Sequence, residues 1–410
     1  MTRASKRVGA LIAVTAVAVG LAACSSSANS NAPKVSTKTS SAKPVSGGTL
    51  KIIAASGPDH MDTVSAYYTV DYELERLYAR QLVSYPTVPY SSTSSAGWKT
   101  DSTPVADAAT EVPTVANGGI TGGGTVYTFH IKPGVDWGTT PARQVSADDF
   151  VREYKAFFNP ISPVGNPVYY TSTIAGLTQY SNAETAYFAK IKSPTAAQIA
   201  NFQNSHNISG VKAINSSTIQ FTLTHATSDF LYMLAMPFAS ARPVEYDSYL
   251  PNSLQLDQNL ISDGPYSVSS YVSGKSITFS RNPAWKQSTD AIRHDYPAQM
   301  VETINGASAE TQLAGVESGQ FNLTSGDTGV NPASIPTLMS GNKPWFAVWA
   351  SSSLQPYIVF NLQSPNSNSA IKNLNLRKAI EYGVDKVAAV RAVGGPQVAS
   401  ITNTVIPPGN

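Results

Sequence analysis

An α/β or α+β chain of at least two lobes is predicted by three observations. Short apolar strands alternate with amphipathic helices along most of the sequence, alternating apolar sets recur far apart, and 410 residues suffice for more than one core. The first strand signal is GGTLKIIAAS (47–56), an apolar run bounded by glycines and by Gly57-Pro58. YELERLYARQLVSY (72–85) follows, with Leu74, Leu77, Tyr78 and Leu82 on one helical face. Residues 86–124 are rich in Pro, Ser, Thr and Gly and read as a long loop. TVYTFHIKPGV then alternates, placing Tyr127, Phe129 and Ile131 on one face of a strand that ends at Pro133-Gly134. SADDFVREYKAFFN opens with Ser146 and Asp149 in capping-box register and continues as a helix with Phe150, Tyr154 and Phe157/Phe158 on its apolar face.

The second half repeats the alternation. STIQFTLT (217–224) puts Ile219, Phe221 and Leu223 on one strand face, and SDFLYMLAM is a short apolar helix. Residues 264–285 predict a hairpin turning at Ser273-Gly274. AETQLAGVESGQFNL is a helix closed by Gly319 and followed by a strand. YIVFNL (357–362) predicts a further strand. LNLRKAIEYGVDKVAAVRAV predicts a helix in two pieces, with Asp385 capping the second.

The N-terminus carries a different signal. Arg3, Lys6 and Arg7 precede a nearly all-apolar run from Val8 to Ala23, and no acidic residue appears before Asp59. That run is too short for a spanning helix and ends in Ser25–Ser27, the pattern of a signal peptide at 1–23. Leu21-Ala22-Ala23-Cys24 resembles the bacterial lipobox, in which cleavage leaves a cysteine whose sulfur carries a diacylglycerol. Cys24 is the sole cysteine of the chain, so it is expected to be a lipid anchor with no redox or nucleophilic role. Residues 24–46, mostly Ser, Thr, Asn, Ala, Pro and Lys, form the flexible tether behind it.

Losing Arg3, Lys6 and Arg7 leaves 25 basic against 26 acidic residues, which carries no nucleic-acid footprint. Charged residues make up only 13% of the chain, below the roughly 25% of ordinary soluble domains, so neutral polar side chains cover the surface. His60, His130, His206, His225 and His294 show no metal-ligand spacing, and His130 falls on the strand face opposite Tyr127 and Phe129. Asp148-Asp149 has a capping role. No G-x-S-x-G elbow, P-loop, or S-x-x-K set with its partners appears in the sequence. No enzyme, metal or cofactor is expected.

Five blocks in order carry a resemblance: GGTLKI, TFHIKPGV with VSADDFVREYKAFFNP, DGPYSVSSYVSGKSITFSRNPAW, LAGVESGQFNL, and YIVFNLQSP with LNLRKAIEYGVDK. Together they resemble the bacterial extracellular solute-binding proteins of family 5, the oligopeptide-, dipeptide- and nickel-binding components of ABC importers. Residues 86–124 and Asp136-Trp137-Gly138 depart from the family's pattern. The resemblance implies an α/β clamshell of the class II periplasmic-binding-protein type, with an extra inserted domain. The main lobe would comprise 47–84 and 208–350, the insert 85–207, and the start of an incomplete second lobe 351–410.

The same resemblance implies function. A small extracellular solute, foremost a short peptide, would be engulfed between the lobes and delivered to ABC permease subunits by a monomer held on the cell membrane through Cys24. Candidate cleft residues are Tyr67, Tyr68 and Tyr72 after the first strand, Tyr169 and Tyr170 in the insert, and Thr324, Ser325, Gly326 and Asp327 in the loop NLTSGDTG. Trp349 and Tyr357 flank the expected lobe crossover. Since family members continue well past the block LNLRKAIEYGVDK, much of the second lobe is expected to lie beyond Asn410. Two other readings share parts of this pattern: a surface-anchored hydrolase, and a ligand sensor that reports to a membrane receptor.

Overall fold

The computed structural model describes residues 43–87, 103–165, 167–326, 329–341, 343, 345–346, 357–396 and 399–402. In chain order the strands of the first half are β1 (Thr49–Ala54), β2 (Val83–Ser84), β3 (Val105–Ala106), β4 (Ile120–Thr121), β5 (Val126–His130), β6 (Asp136–Trp137) and β7 (Arg143–Gln144). β8 (Val211–Asn215), β9 (Thr218–Thr222), β10 (Tyr266–Val272), β11 (Ser276–Arg281), β12 (Gln299–Ile304) and β13 (Leu323–Thr324) follow. The helices that matter for the site are α1 (Thr69–Tyr78), α2 (Ala147–Ala156), α3 (Pro167–Thr171), α4 (Leu177–Phe188), α5 (Ala196–Ser205) and α6 (Phe230–Leu234). Further on come α7 (Ala309–Glu317), α8 (Ile335–Ser340), α9 (Leu374–Gly383) and α10 (Lys386–Ala392). Among the described residues no helix is long and apolar enough to cross a membrane.

Two main sheets organise the chain. A mixed five-stranded sheet has the order β10-β11-β12-β1-β13, in which β1 pairs parallel with both neighbours. Its core joins α1 through Leu74 and Tyr78 to Ile277, Phe279 and Met300. The hairpin β10–β11 turns where expected, with Gly274 at φ 68°. The second sheet is antiparallel, in the order β4-β5-β9-β8. The faces expected from alternation, Tyr127/Phe129/Ile131 and Ile219/Phe221/Leu223, are all buried there. Phe150, Tyr154 and Phe157 of the α2 segment pack into the same core, with Tyr154 and Phe221 edge to face at 5.4 Å.

Local signals hold at the helix ends. The Asp149 carboxylate accepts from the Ser146 backbone N–H at 2.8 Å, from Trp137 Nε1 at 3.0 Å and from Arg143 Nη1 at 2.9 Å. It thus caps α2 and fastens the Asp136-Trp137-Gly138 turn to it. Asp385 caps α10 by accepting from the Ala388 N–H at 2.9 Å. His130 is exposed, on the face opposite Tyr127, and its Nδ1 lies 3.1 Å from Thr218 Oγ1.

Two expectations need revision. The helix predicted over 72–85 covers 69–78, and Leu82 is buried in the chain leading to β2. Residues 357–362 are no strand: all but half-buried Phe360 are exposed, and none of the described strands lies beside them to pair with. β9, beyond residue 207, pairs with β5 on one side and with β8 on the other, so the antiparallel sheet draws on chain from both sides of that position.

Candidate functional site

The carboxyl ends of parallel strands form a crevice where the chain leaves a central strand in one direction and returns on the other side. Here β1 is that strand. Beyond its end the Gly306 N–H donates to Ala55 O at 3.0 Å and the Ser325 N–H to Ile53 O at 2.8 Å, drawing three connections together. The Gly326 N–H donates to Glu73 Oε2 of α1 at 3.0 Å, so the loop after β13 is tied to the helix that follows β1. The turn into α1 is held by buried Asp71, whose carboxylate accepts from the N–H groups of Asp59, Tyr67 and Tyr68 at 3.1, 3.1 and 3.0 Å. Burial raises the Asp71 pKa, and these three backbone bonds offset part of that.

Two of the expected tyrosine clusters meet on one ring. Phe238 stacks on Tyr67 at 6.1 Å, and it meets Tyr72 at 5.8 Å and Tyr170 at 6.3 Å edge to face. Tyr170 in turn meets Tyr169 at 5.9 Å. Tyr67, Tyr68 and Tyr169 are exposed and Tyr72 is half-buried, so they present ring surface to solvent. Tyr170 is only 1% exposed and donates to Met233 O at 3.1 Å; it supports Tyr169 from the core. Gly165 allows this arrangement, since a Cβ there would lie 2.9 Å from Tyr67 Cδ2.

The remaining candidates divide. Thr324 is half-buried in β13, Ser325 is buried and Gly326 is exposed. Thr324 also lines a groove of about 100 Å³ with Leu313, Val316, Leu323, Trp345 and Phe346. Tyr357 is exposed, and among the described residues no hydrogen bond or ring contact joins it to the aromatic cluster. Cys24, Asp327 and Trp349 lie outside the described residues. Phe238 and Glu73 escaped the sequence reading, although MPFASARP, with a proline just past an apolar helix, marked a turn that brings a ring back.

Buried ions fix this platform from below. Arg242 holds Asp62 in a bidentate pair, with Nη1 to Oδ1 at 2.6 Å and Nη2 to Oδ2 at 3.2 Å, and Thr63 Oγ1 donates to Glu153 Oε1 at 2.7 Å. Burial pushes the Glu153 carboxyl up to about 8 despite Arg242. Burial also raises Glu75 well above its usual range, and among the described residues neither of its oxygens has a hydrogen-bond partner. A second network joins the two sheets. Asp107 accepts from Arg80 Nε at 2.9 Å and from Arg293 Nη2 at 2.8 Å, and Lys132 Nζ donates to Asp107 O. Burial would raise the Asp107 pKa, but Arg293 and Arg80 reverse this and hold it below the usual carboxylate range.

The model of the bacterial extracellular solute-binding proteins, family 5 (middle part), matches residues 103–410. The chain belongs to this family. Among curated relatives it is 25% identical over 287 residues to the Di/tripeptide-binding protein 1 of Pseudomonas aeruginosa, covering 68% of this chain and 46% of that protein. It is 26% identical over 279 residues to the Heme-binding protein A of Haemophilus influenzae, covering 66% and 44%. The chain thus spans about half the length of the curated relatives it matches. Among solved structures, the Clavulanic acid biosynthesis oligopeptide binding protein 2 superposes with a TM-score of 0.66 at 22% identity, covering 89% of this chain and 59% of that one. The likeness places the fold among the two-lobed α/β binding proteins. Members of the family bind solutes.

Proposed function

We propose that this chain is the substrate-binding component of an ABC importer, which captures a short peptide outside the cytoplasm and hands it to membrane permease subunits without changing it. The observation that carries the reading is the junction at Phe238, which unites Tyr67 and Tyr72, at the start of α1, with Tyr169 and Tyr170 of α3. Aromatic walls of this kind give a peptide-like solute large apolar contact together with hydroxyl groups for its polar atoms. The names of the relatives support a peptide first, while the heme-binding relative shows that the family's cargo varies.

In this reading the platform on the main lobe, 47–84 and 208–350, with the insert at 85–207, forms one wall of the cleft. The segment from 351 begins the opposite wall. The protein is a monomer, anchored to the outer face of the cell membrane through Cys24. Mass spectrometry of small molecules that co-purify with the protein, followed by calorimetry with a short-peptide library, tests the function. Saturable binding with unchanged peptide supports it, and conversion of the peptide at enzyme-like rates would refute it. Cell fractionation of Cys24→Ala tests the anchor: the variant should leave the membrane or persist as precursor.

A further inference from the structure

Four ionisable side chains gather beneath the aromatic platform, all of them buried: Asp62 in the turn between β1 and α1, Glu75 on α1, Glu153 on α2 and Arg242 after α6. Arg242 gives both Nη atoms to Asp62, and its Nη1 also lies 3.7 Å from Glu153 Oε2, too far for a hydrogen bond. Among the described residues no other cation forms an ion pair with Asp62, Glu75 or Glu153. Three acids thus share one guanidinium. In an apolar interior one cation balances one carboxylate, so the two remaining acids must hold protons to stay neutral. Burial accordingly raises the Glu75 and Glu153 carboxyls, the second to about 8.

The turn that Arg242 grips is the one that carries Tyr67. Asp62 O accepts from the N–H groups of Ser65 and Ala66 at 2.9 and 3.1 Å, Ser65 Oγ donates to Ser162 O at 2.8 Å, and Tyr67 follows at once, exposed and stacked on Phe238. Glu153 reaches the same turn through Thr63, whose hydroxyl donates to its Oε1 at 2.7 Å. The other titratable groups around Glu153 and Arg242 are hydroxyls: Tyr154 next to Glu153 on α2, Tyr170 on α3, and Tyr246, whose ring lies 5.2 Å from the guanidinium. Burial raises all three, so they stay neutral. Asp71 adds to the repulsion on Glu75, and Asp257 is repelled by Asp62, so neither offsets a further negative charge. An ionised Glu153 therefore has one cation within reach, and takes it at the expense of Asp62.

We propose that Glu153, Asp62 and Arg242 form a proton-operated latch on the turn that carries Tyr67: with its proton Glu153 leaves the guanidinium to Asp62 and the turn is held, and without it Glu153 draws Arg242 away and the turn is released. The inference rests on the solute-binding reading above and adds a pH dependence to it. Tyr67 belongs to the solute wall of that reading, so release of the turn weakens binding. Glu153 touches no solute and acts as a positioning residue.

Calorimetry on the full chain between pH 6 and pH 9 tests the latch with acetyl-Ala-Phe-Ala-amide, a probe that carries no charge in this range. Loss of one proton with a midpoint at about 8 should raise the wild-type Kd about tenfold from pH 7 to pH 9. Glu153→Gln keeps an acceptor for the Thr63 hydroxyl and does not ionise, so its Kd should change by less than about twofold over the same interval. Hydrogen exchange over residues 61–68 reads the turn without any solute. At pH 9 it should run about fivefold or more faster in the wild type than in Glu153→Gln, and at pH 7 the two should match. Thermal unfolding at pH 7 verifies that the variant folds. A wild-type Kd that stays flat with pH, equal exchange at pH 9, or a tenfold rise that persists in Glu153→Gln would overturn the latch and leave the solute-binding reading standing. Failure of the wild type to bind the probe at any pH would count against that reading, and the exchange measurement would still decide the latch.

Discussion

Glu184 offers a quantitative test of how this protein stores ionisable groups in its interior. It lies fully buried in α4, where Oε1 accepts from Gln203 Nε2 of α5 at 3.2 Å. Burial pushes its carboxyl up to about 8, with the Gln203 bond offsetting a little of the rise. In the unfolded chain the group titrates near 4.5. Because the folded pKa is the higher one, the folded state keeps a proton that the unfolded state releases. Stability from this group is fully present below the unfolded pKa and is lost as pH rises toward the folded pKa. The loss approaches about 1.4 kcal/mol per pH unit above the unfolded pKa, which makes it about 2–3 kcal/mol between pH 5 and pH 7. Glutamine has nearly the same shape and does not titrate. The stability of Glu184→Gln minus that of the wild type should therefore rise by about 2–3 kcal/mol over that interval. Urea denaturation at pH 5, 6 and 7 measures it, and the other buried acids are common to both proteins and cancel. A difference that stays flat with pH would show that Glu184 ionises in the folded state and that burial does not control it.

Other substitutions probe the platform and its supports. Phe238→Ala removes the ring shared by Tyr67, Tyr72 and Tyr170; it should cost about 3–5 kcal/mol in urea denaturation and weaken peptide binding measured by calorimetry. Arg242→Ala leaves Asp62 buried without its cation and should cost about 3–5 kcal/mol, measured the same way. Gly264→Ala places a Cβ 2.5 Å from Leu77 O at the end of α1, and the backbone shift this forces should lower thermal stability by about 1–3 kcal/mol.

Much of the fold is legible in the sequence because its causes are local. Period-two alternation located the buried faces of β5 and β9, and short-range side-chain chemistry located the caps at Ser146 and Asp385. Pairing is another matter. Nothing within a few residues of Val126 says that Thr222 lies beside it, and nothing near Tyr357 says that none of the described strands pairs with it. The tyrosines of the candidate site were legible as exposed rings after a strand and in the insert, but the residue that joins them was not. Phe238 looks like any core phenylalanine until chain segments some 170 residues apart meet on it. Arg80, Asp107 and Arg293 are equally silent, since each alone reads as a surface charge.

That last trio limits how the protein could exchange parts with its kin. Asp107 comes from one stretch of chain and Arg80 and Arg293 from two others, and together with Asp290 the two guanidinium groups and two carboxylates balance only when all are assembled. A hybrid that imports the 85–207 stretch from a relative with a different side chain at position 107 would leave two buried guanidinium groups to share the single carboxylate of Asp290, at a cost of several kcal/mol. The segment is thus no free cassette. A recombinant that travels with its matching arginines would keep the fold, whereas one cut at the loop boundaries alone would lose it.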